Sequence, residues 1–132
     1  MNNNLFKKWH PIPDADNVYD IDIIEFGANG LVLYLIPDDI DHNNRSFHKL
    51  TLTWKDPLSY HVAKETIRED LWISDPSEAW TFFTSCTSPY IDHFTKGSVL
   101  FPENSMHFLI RGTNFIVDII SISYPDVTIS SL

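Results

Sequence analysis

The side chains able to move protons or hold metals in this chain are six histidines, one cysteine and eighteen carboxylates. Asp38-Asp39-Ile40-Asp41-His42 concentrates metal-compatible ligands. Calcium loops, however, space their oxygens over about twelve residues, with a glycine at the turn and a late Glu. His42 and His48, or His93 and His107, are pairs that a fold can bring together. Zinc takes three or four ligands, and no HExxH or CxxC spacing occurs, so no metal site is expected. Cys86 with Asp92 and His93 contains the elements of a nucleophile group. Its position on the inward stripe of an expected helix instead makes it a small buried hydrophobe. Asp20, Asp22 and Glu25 resemble paired acids for glycoside cleavage, with residues two apart on a strand separated by about 7 Å. A solvated strand face has the same letters, and no acid sits in a recognisably apolar setting. The glycine patterns of nucleotide-binding loops are absent. No catalytic residue and no cofactor are assigned.

Charge is the more informative property. The net value is -9. Between Trp9 and Asn44 stand eight carboxylates, Asp14, Asp16, Asp20, Asp22, Glu25, Asp38, Asp39 and Asp41, with no Lys or Arg among them. A second acidic stretch runs from Glu65 to Glu78, with Arg68 its only Lys or Arg. Such fields repel nucleic acid and anionic membrane and speed encounter with a basic protein. Solubility alone also accounts for a charge of this size. Trp54 and Trp72, near these carboxylates in sequence, are the aromatic anchors expected at a binding surface, although core filling is the alternative use.

The elements that must position these residues are mostly strands. Ser105–Ser123 is the longest strongly apolar run, and Gly112-Thr113-Asn114 divides it into a hairpin of Met106–Arg111 and Phe115–Ile122. Ile116, Asp118 and Ile120 share one face of the second arm, so Asp118 must find water or a buried partner. Arg111 and Asp118 also argue against a membrane span, since a central charge costs about 3 kcal/mol on insertion scales. Val18–Phe26 alternates, with Tyr19, Ile21 and Ile23 opposite Asp20 and Asp22. Ala28-Asn29-Gly30 turns the chain into Leu31–Ile36, and Phe47–Trp54 alternates again. Leu58–Glu65 has two readings, since Leu58, Tyr60 and Val62 alternate while Ala63–Asp70 could begin a helix; the favoured one is a short strand, edge or near-edge, through Lys64, and Val99–Phe101 is another short strand. Asp75-Pro76-Ser77-Glu78 has the cap, first-turn proline and capping-box acid of a helix start. Trp80, Phe83 and Cys86 then give an apolar stripe at helical spacing, with Ser88-Pro89 as a break and Tyr90–Thr95 as a further turn. The expected fold is α+β: about six mostly antiparallel strands with one helical segment, roughly 76–95, packed on the sheet. Residues 1–132 form a single domain, with 1–13 and 126–132 as loosely ordered ends.

One cysteine and a start without a long apolar core point to the cytoplasm, and Asn44-Arg45-Ser46 is a chance match to a glycosylation sequon. The acidic front, the Pro-Ser-Glu-Ala-Trp helix start and the late HFLIRGTNFIVDIISISYPDV hairpin together resemble the small acidic bacterial immunity proteins that neutralise secreted toxins. That resemblance implies a non-enzymatic protein that binds and blocks a basic toxin domain, without a cofactor. Two other functions fit the composition. One is a small-molecule binder or small enzyme with a pocket between helix and sheet near His93 or His107; the other is a homo-oligomeric structural module.

Overall fold

The computed structural model describes residues 6–12, 18–37, 48–64, 80–95 and 103–131. Its strands are β1 (Lys7–Lys8), β2 (Tyr19–Gly27), β3 (Gly30–Pro37), β4 (His48–Trp54), β5 (Ser59–Lys64), β6 (Phe82–Ser85), β7 (Met106–Arg111), β8 (Phe115–Ser121) and β9 (Asp126–Ser131). The one helix among the described residues is α1 (Pro89–Thr95). Strands β1-β6-β7-β8-β5 form a first antiparallel sheet and β2-β3-β4-β9 a second.

β3 and β4 alternate because one face of each meets the opposite sheet, whereas β7 and β8 are buried on both faces. Register places Leu31, Leu33 and Leu35 of β3 beside Trp54, Leu52 and Leu50 of β4. All six are buried, in one core with Phe82, Phe108, Ile110, Val117 and Ile119 of the first sheet. The Trp54 ring meets Phe108 edge-on across the interior, with centroids 5.5 Å apart. Outside the first sheet, Phe83, Leu109 and Ile116 form a second cluster under Phe6 and Trp80. β2 joins the layers. Tyr19 N–H donates to Thr81 Oγ1 at 2.8 Å, and that hydroxyl donates back to the Tyr19 carbonyl at 3.1 Å. Asp20 Oδ1 accepts from the Ile21 and Thr113 amides, each at 2.9 Å.

The α+β expectation is overturned. The described residues are nearly all β, and the helix is seven residues long rather than a segment over 76–95. Phe82–Ser85 is a strand because its phenylalanines sit in two apolar environments, Phe82 between the sheets and Phe83 on the outer cluster. Tertiary burial therefore overrides the helical spacing. Ser88-Pro89 begins a helix instead of breaking one, because the missing amide of proline is harmless in a first turn. The expected helix start at Asp75–Glu78 and the strand at Val99–Phe101 lie outside the described residues, Phe101 included.

Both ends also differ from expectation. Lys7–Lys8 pairs with β6, and Trp9 packs edge-on against Phe82 and Phe108. Asp126–Ser131 is a full edge strand on β4, not a loose tail, because Leu50, Leu52 and Thr51 present an unpaired ladder that it completes. A further correction concerns β2. A bulge between Ile21 and Ile23 changes the facing, so Ile21 is buried, Ile23 is exposed and Ile24 returns to the core.

Candidate functional site

The expected partner-binding residues divide into three groups. Asp14, Asp16, Asp38, Asp39, Asp41 and Trp72 lie outside the described residues. Trp54 is 1% exposed and offers no surface to a partner in this fold. Asp20, Asp22 and Glu25 are brought together on β2, an edge strand. Asp20 is half-buried, and its carboxylate is engaged by two backbone amides, which makes it a clamp at the sheet junction. Asp22, at the bulge, and Glu25 are exposed.

The bulge puts large apolar side chains among these acids. Ile23 is 48% exposed beside Asp22, and Phe26 is 59% exposed beside Glu25. On the outer side of β2, Tyr34 O–H donates to Glu25 Oε2 at 3.2 Å. The Glu25 charge is the main cause that raises the Tyr34 phenol above its ordinary pKa, with burial and the hydrogen bond adding in the same direction. Phe26 turns the other way and packs on Tyr60 of β5, with ring centroids 5.0 Å apart. The edge of β2 thus carries exposed negative charge and exposed aromatic surface, with no Lys or Arg in the strand. Exposed apolar side chains flanked by polar groups are a feature of interaction surfaces, and here they stand on both faces of the strand, Ile23 beside Tyr34 and Phe26 beside Leu31.

A second constellation lies under α1, on the outer face of the first sheet. His107 is a sequence candidate for pairing with His93 or for lining a pocket, whereas His61 and Ser88 are not. Ser88 Oγ and His107 Nδ1 are 2.6 Å apart, and His107 Nε2 and Asp118 Oδ1 are also 2.6 Å apart. His61 Nδ1 stands 3.8 Å from Asp118 Oδ2, as the cross-strand neighbour of that residue. The Tyr90 ring meets His107 at a tilt, with centroids 5.0 Å apart, and its hydroxyl shares a hydrogen bond of 3.2 Å with Ser59. Proton bookkeeping gives the network a direction. An ionised Asp118 only accepts, so His107 Nε2 carries the hydrogen, Nδ1 accepts from the Ser88 hydroxyl, and Ser88 Oγ accepts from Ile91 N–H at 3.2 Å.

Ser, His and Asp in a chain invite comparison with nucleophilic triads. Here Ser88 is 0% exposed and its oxygen is occupied in capping α1. His107 and Asp118 are each 2% exposed. In this closed arrangement the network anchors the helix to the sheet, satisfying three polar side chains that the β pattern would otherwise bury alone. The carboxylate expected to need a partner, Asp118, finds His107. The sequence signal for this was the polar pair His107 and Asp118 on one face of an otherwise apolar hairpin; nothing local marked Ser88.

Among the described residues the other sequence candidates do not assemble, and the acidic loop 38–41 with His42 lies outside them. Cys86 is exposed and follows a strand, not the buried stripe of a helix, and Asp92 and His93 are exposed on α1. Among the described residues, no three His, Cys, Asp or Glu side chains form a metal-binding group. No helix among them is long and apolar enough to cross a membrane. Comparison with family models, curated proteins and solved structures finds no match to this chain.

Proposed function

We propose that this chain is a non-enzymatic protein-binding domain that holds a basic protein against the edge of β2. The observation that carries the reading is the alternation of exposed Asp22 and Glu25 with exposed Ile23 and Phe26 on one strand lacking Lys and Arg. The acids attract and orient a basic surface, while the apolar side chains supply area that gains free energy on burial. A net charge of -9 adds long-range steering. The resemblance to immunity proteins makes a basic toxin domain in the cytoplasm the first partner to test, with inhibition by occlusion as the mode of action.

Capture of partners from the native host at low and high salt tests the reading. A basic protein should be retained at low salt and released as salt rises. Replacing Asp22 with Asn and Glu25 with Gln removes two exposed charge contacts worth about 0.2–1 kcal/mol each, hence weakens binding roughly two- to thirtyfold without unfolding the domain. Absence of a basic partner at either salt concentration, or retention that ignores both salt and the double substitution, would refute it.

A further inference from the structure

We infer that the basic partner is gripped through an arginine side chain seated against the Tyr34 ring and the Glu25 carboxylate, on the outer face of the second sheet. This rests on the protein-binding reading above and names the contact that fixes the partner. Leu31, Leu33 and Leu35 of β3 are buried between the sheets, so Val32 and Tyr34, which alternate with them, point outward. Register carries that face across the sheet: Ile23 lies opposite Tyr34, and Glu25, Val32, Thr53 and Asp126 make the neighbouring row. Ile23 and Glu25 are exposed, while Tyr34 and Val32 are half-buried. Apolar and aromatic surface therefore surrounds Glu25 on this face.

The two acids of that row differ in their company. Asp126 has a cation, Lys55 Nζ, at 3.4 Å. Glu25 has none: among the described residues its polar partner is the neutral Tyr34 hydroxyl, which donates to Oε2 at 3.2 Å. That bond holds the carboxylate beside an aromatic ring and leaves Oε1, with a further lone pair of Oε2, to accept from another donor. The same uncompensated charge pushes the Tyr34 phenol above its ordinary pKa. A cation completes such an arrangement, since the carboxylate and the ring face both attract it. Guanidinium suits it better than ammonium, being planar, able to stack on the phenol ring and equipped with paired N–H groups for a carboxylate. The methylene stem of the arginine then covers exposed Ile23, a contact that a small inorganic cation cannot make.

The test titrates the full chain, at low salt, with a capped Gly-Arg-Gly peptide and with the same peptide carrying lysine or citrulline in place of arginine. The arginine peptide should shift the backbone amide resonances of residues 23–25 and 32–34. It should bind about threefold more tightly than the lysine peptide and about tenfold more tightly than the citrulline one, which keeps the shape and lacks the charge. Excess arginine peptide should also bring the Tyr34 phenolate titration, followed by absorbance as the difference from Tyr34→Phe, to lower pH, and citrulline should leave it in place. Glu25→Gln should weaken arginine binding about fivefold, whereas Asp126→Asn, which removes a charge from the same face, should change it less than about twofold. Tyr34→Thr should weaken it severalfold and Tyr34→Phe, which keeps the ring, by less. Equal binding of the arginine and citrulline peptides, equal losses in Glu25→Gln and Asp126→Asn, or shifts confined to other residues would overturn the contact. No response to the arginine peptide at a concentration on the order of 10 mM would overturn it too. In each of these cases a basic protein captured from the host and released by salt would keep the broader reading, and its absence would remove both.

Discussion

Asp118→Ala is the most informative perturbation, because it separates an anchoring network from a decorative one. Asp118 and His107 are both 2% exposed and joined at 2.6 Å. Removing the carboxylate leaves His107 Nε2–H without its acceptor in a site closed by Tyr90 and by Phe6, whose ring meets the imidazole edge-on at 5.2 Å. An orphaned buried donor costs about 1–3 kcal/mol. That is the expected loss, a sizeable share of the roughly 5–15 kcal/mol available to a domain. With a urea dependence near 2 kcal/mol per molar, the unfolding midpoint should fall by about 0.5–1.5 M at unchanged slope. Replacing both residues, Asp118→Leu with His107→Phe, abolishes the orphan and should cost no more than Asp118→Ala alone. Equilibrium urea unfolding followed by fluorescence measures both variants. A loss below about 1 kcal/mol for Asp118→Ala, or a double variant that costs the sum of the two single changes, would refute the network as a unit.

The other predictions are read in the same way. Gly30 has φ of 90°, and a Cβ there would collide with the Trp54 carbonyl and the Lys55 backbone, so Gly30→Ala should lose more than about 2 kcal/mol in urea unfolding. Asp20→Ala should cost about 1–2 kcal/mol in the same assay, since two amides lose their acceptor, whereas Asp22→Ala at an exposed position should stay within about 0.5 kcal/mol. Trp54 is buried, and its Nε1 has no hydrogen-bond partner among the described residues, so Trp54→Phe should cost far less than the roughly 3–5 kcal/mol of Trp54→Ala. Because the folded state raises the Tyr34 pKa, it binds the phenol proton more tightly than the unfolded chain. That contribution is present below the ordinary tyrosine pKa of about 10 and is lost as pH rises through the higher folded value. Phenolate absorbance, as the difference from Tyr34→Phe, should titrate at lower pH in Glu25→Gln; an unchanged midpoint would exclude the carboxylate as the cause.

Much of the strand content was legible because alternation is a local signal. The hairpin of β7 and β8 and the facing of Ile116, Asp118 and Ile120 follow from period-two patterning and turn residues. Reading failed where two patterns coincide. Trp80, Phe83 and Cys86 keep helical spacing, yet Phe82 and Phe83 are separately buried on the two faces of a sheet, a distinction that neighbours in space decide. In β2 the adjacent Ile23 and Ile24 break the alternation of VYDIDIIEF, but only pairing with β3 decides which of them turns outward.

For the sites, the sequence alone determined the chemical inventory: acids without compensating cations from Trp9 to Asn44, and a single Asp in an apolar hairpin. Composition and local periodicity are properties of the chain itself, so these needed no fold. Only tertiary structure decided which acids are clamps and which are exposed, by placing Thr113 over Asp20 and leaving Asp22 on the bulge. It also brought Ser88, His107 and Asp118 within hydrogen-bond range, and set Phe26 on Tyr60 at the border of the two sheets. Contacts between residues so far apart in the chain depend on how the sheets pair and pack, which no local window of sequence encodes.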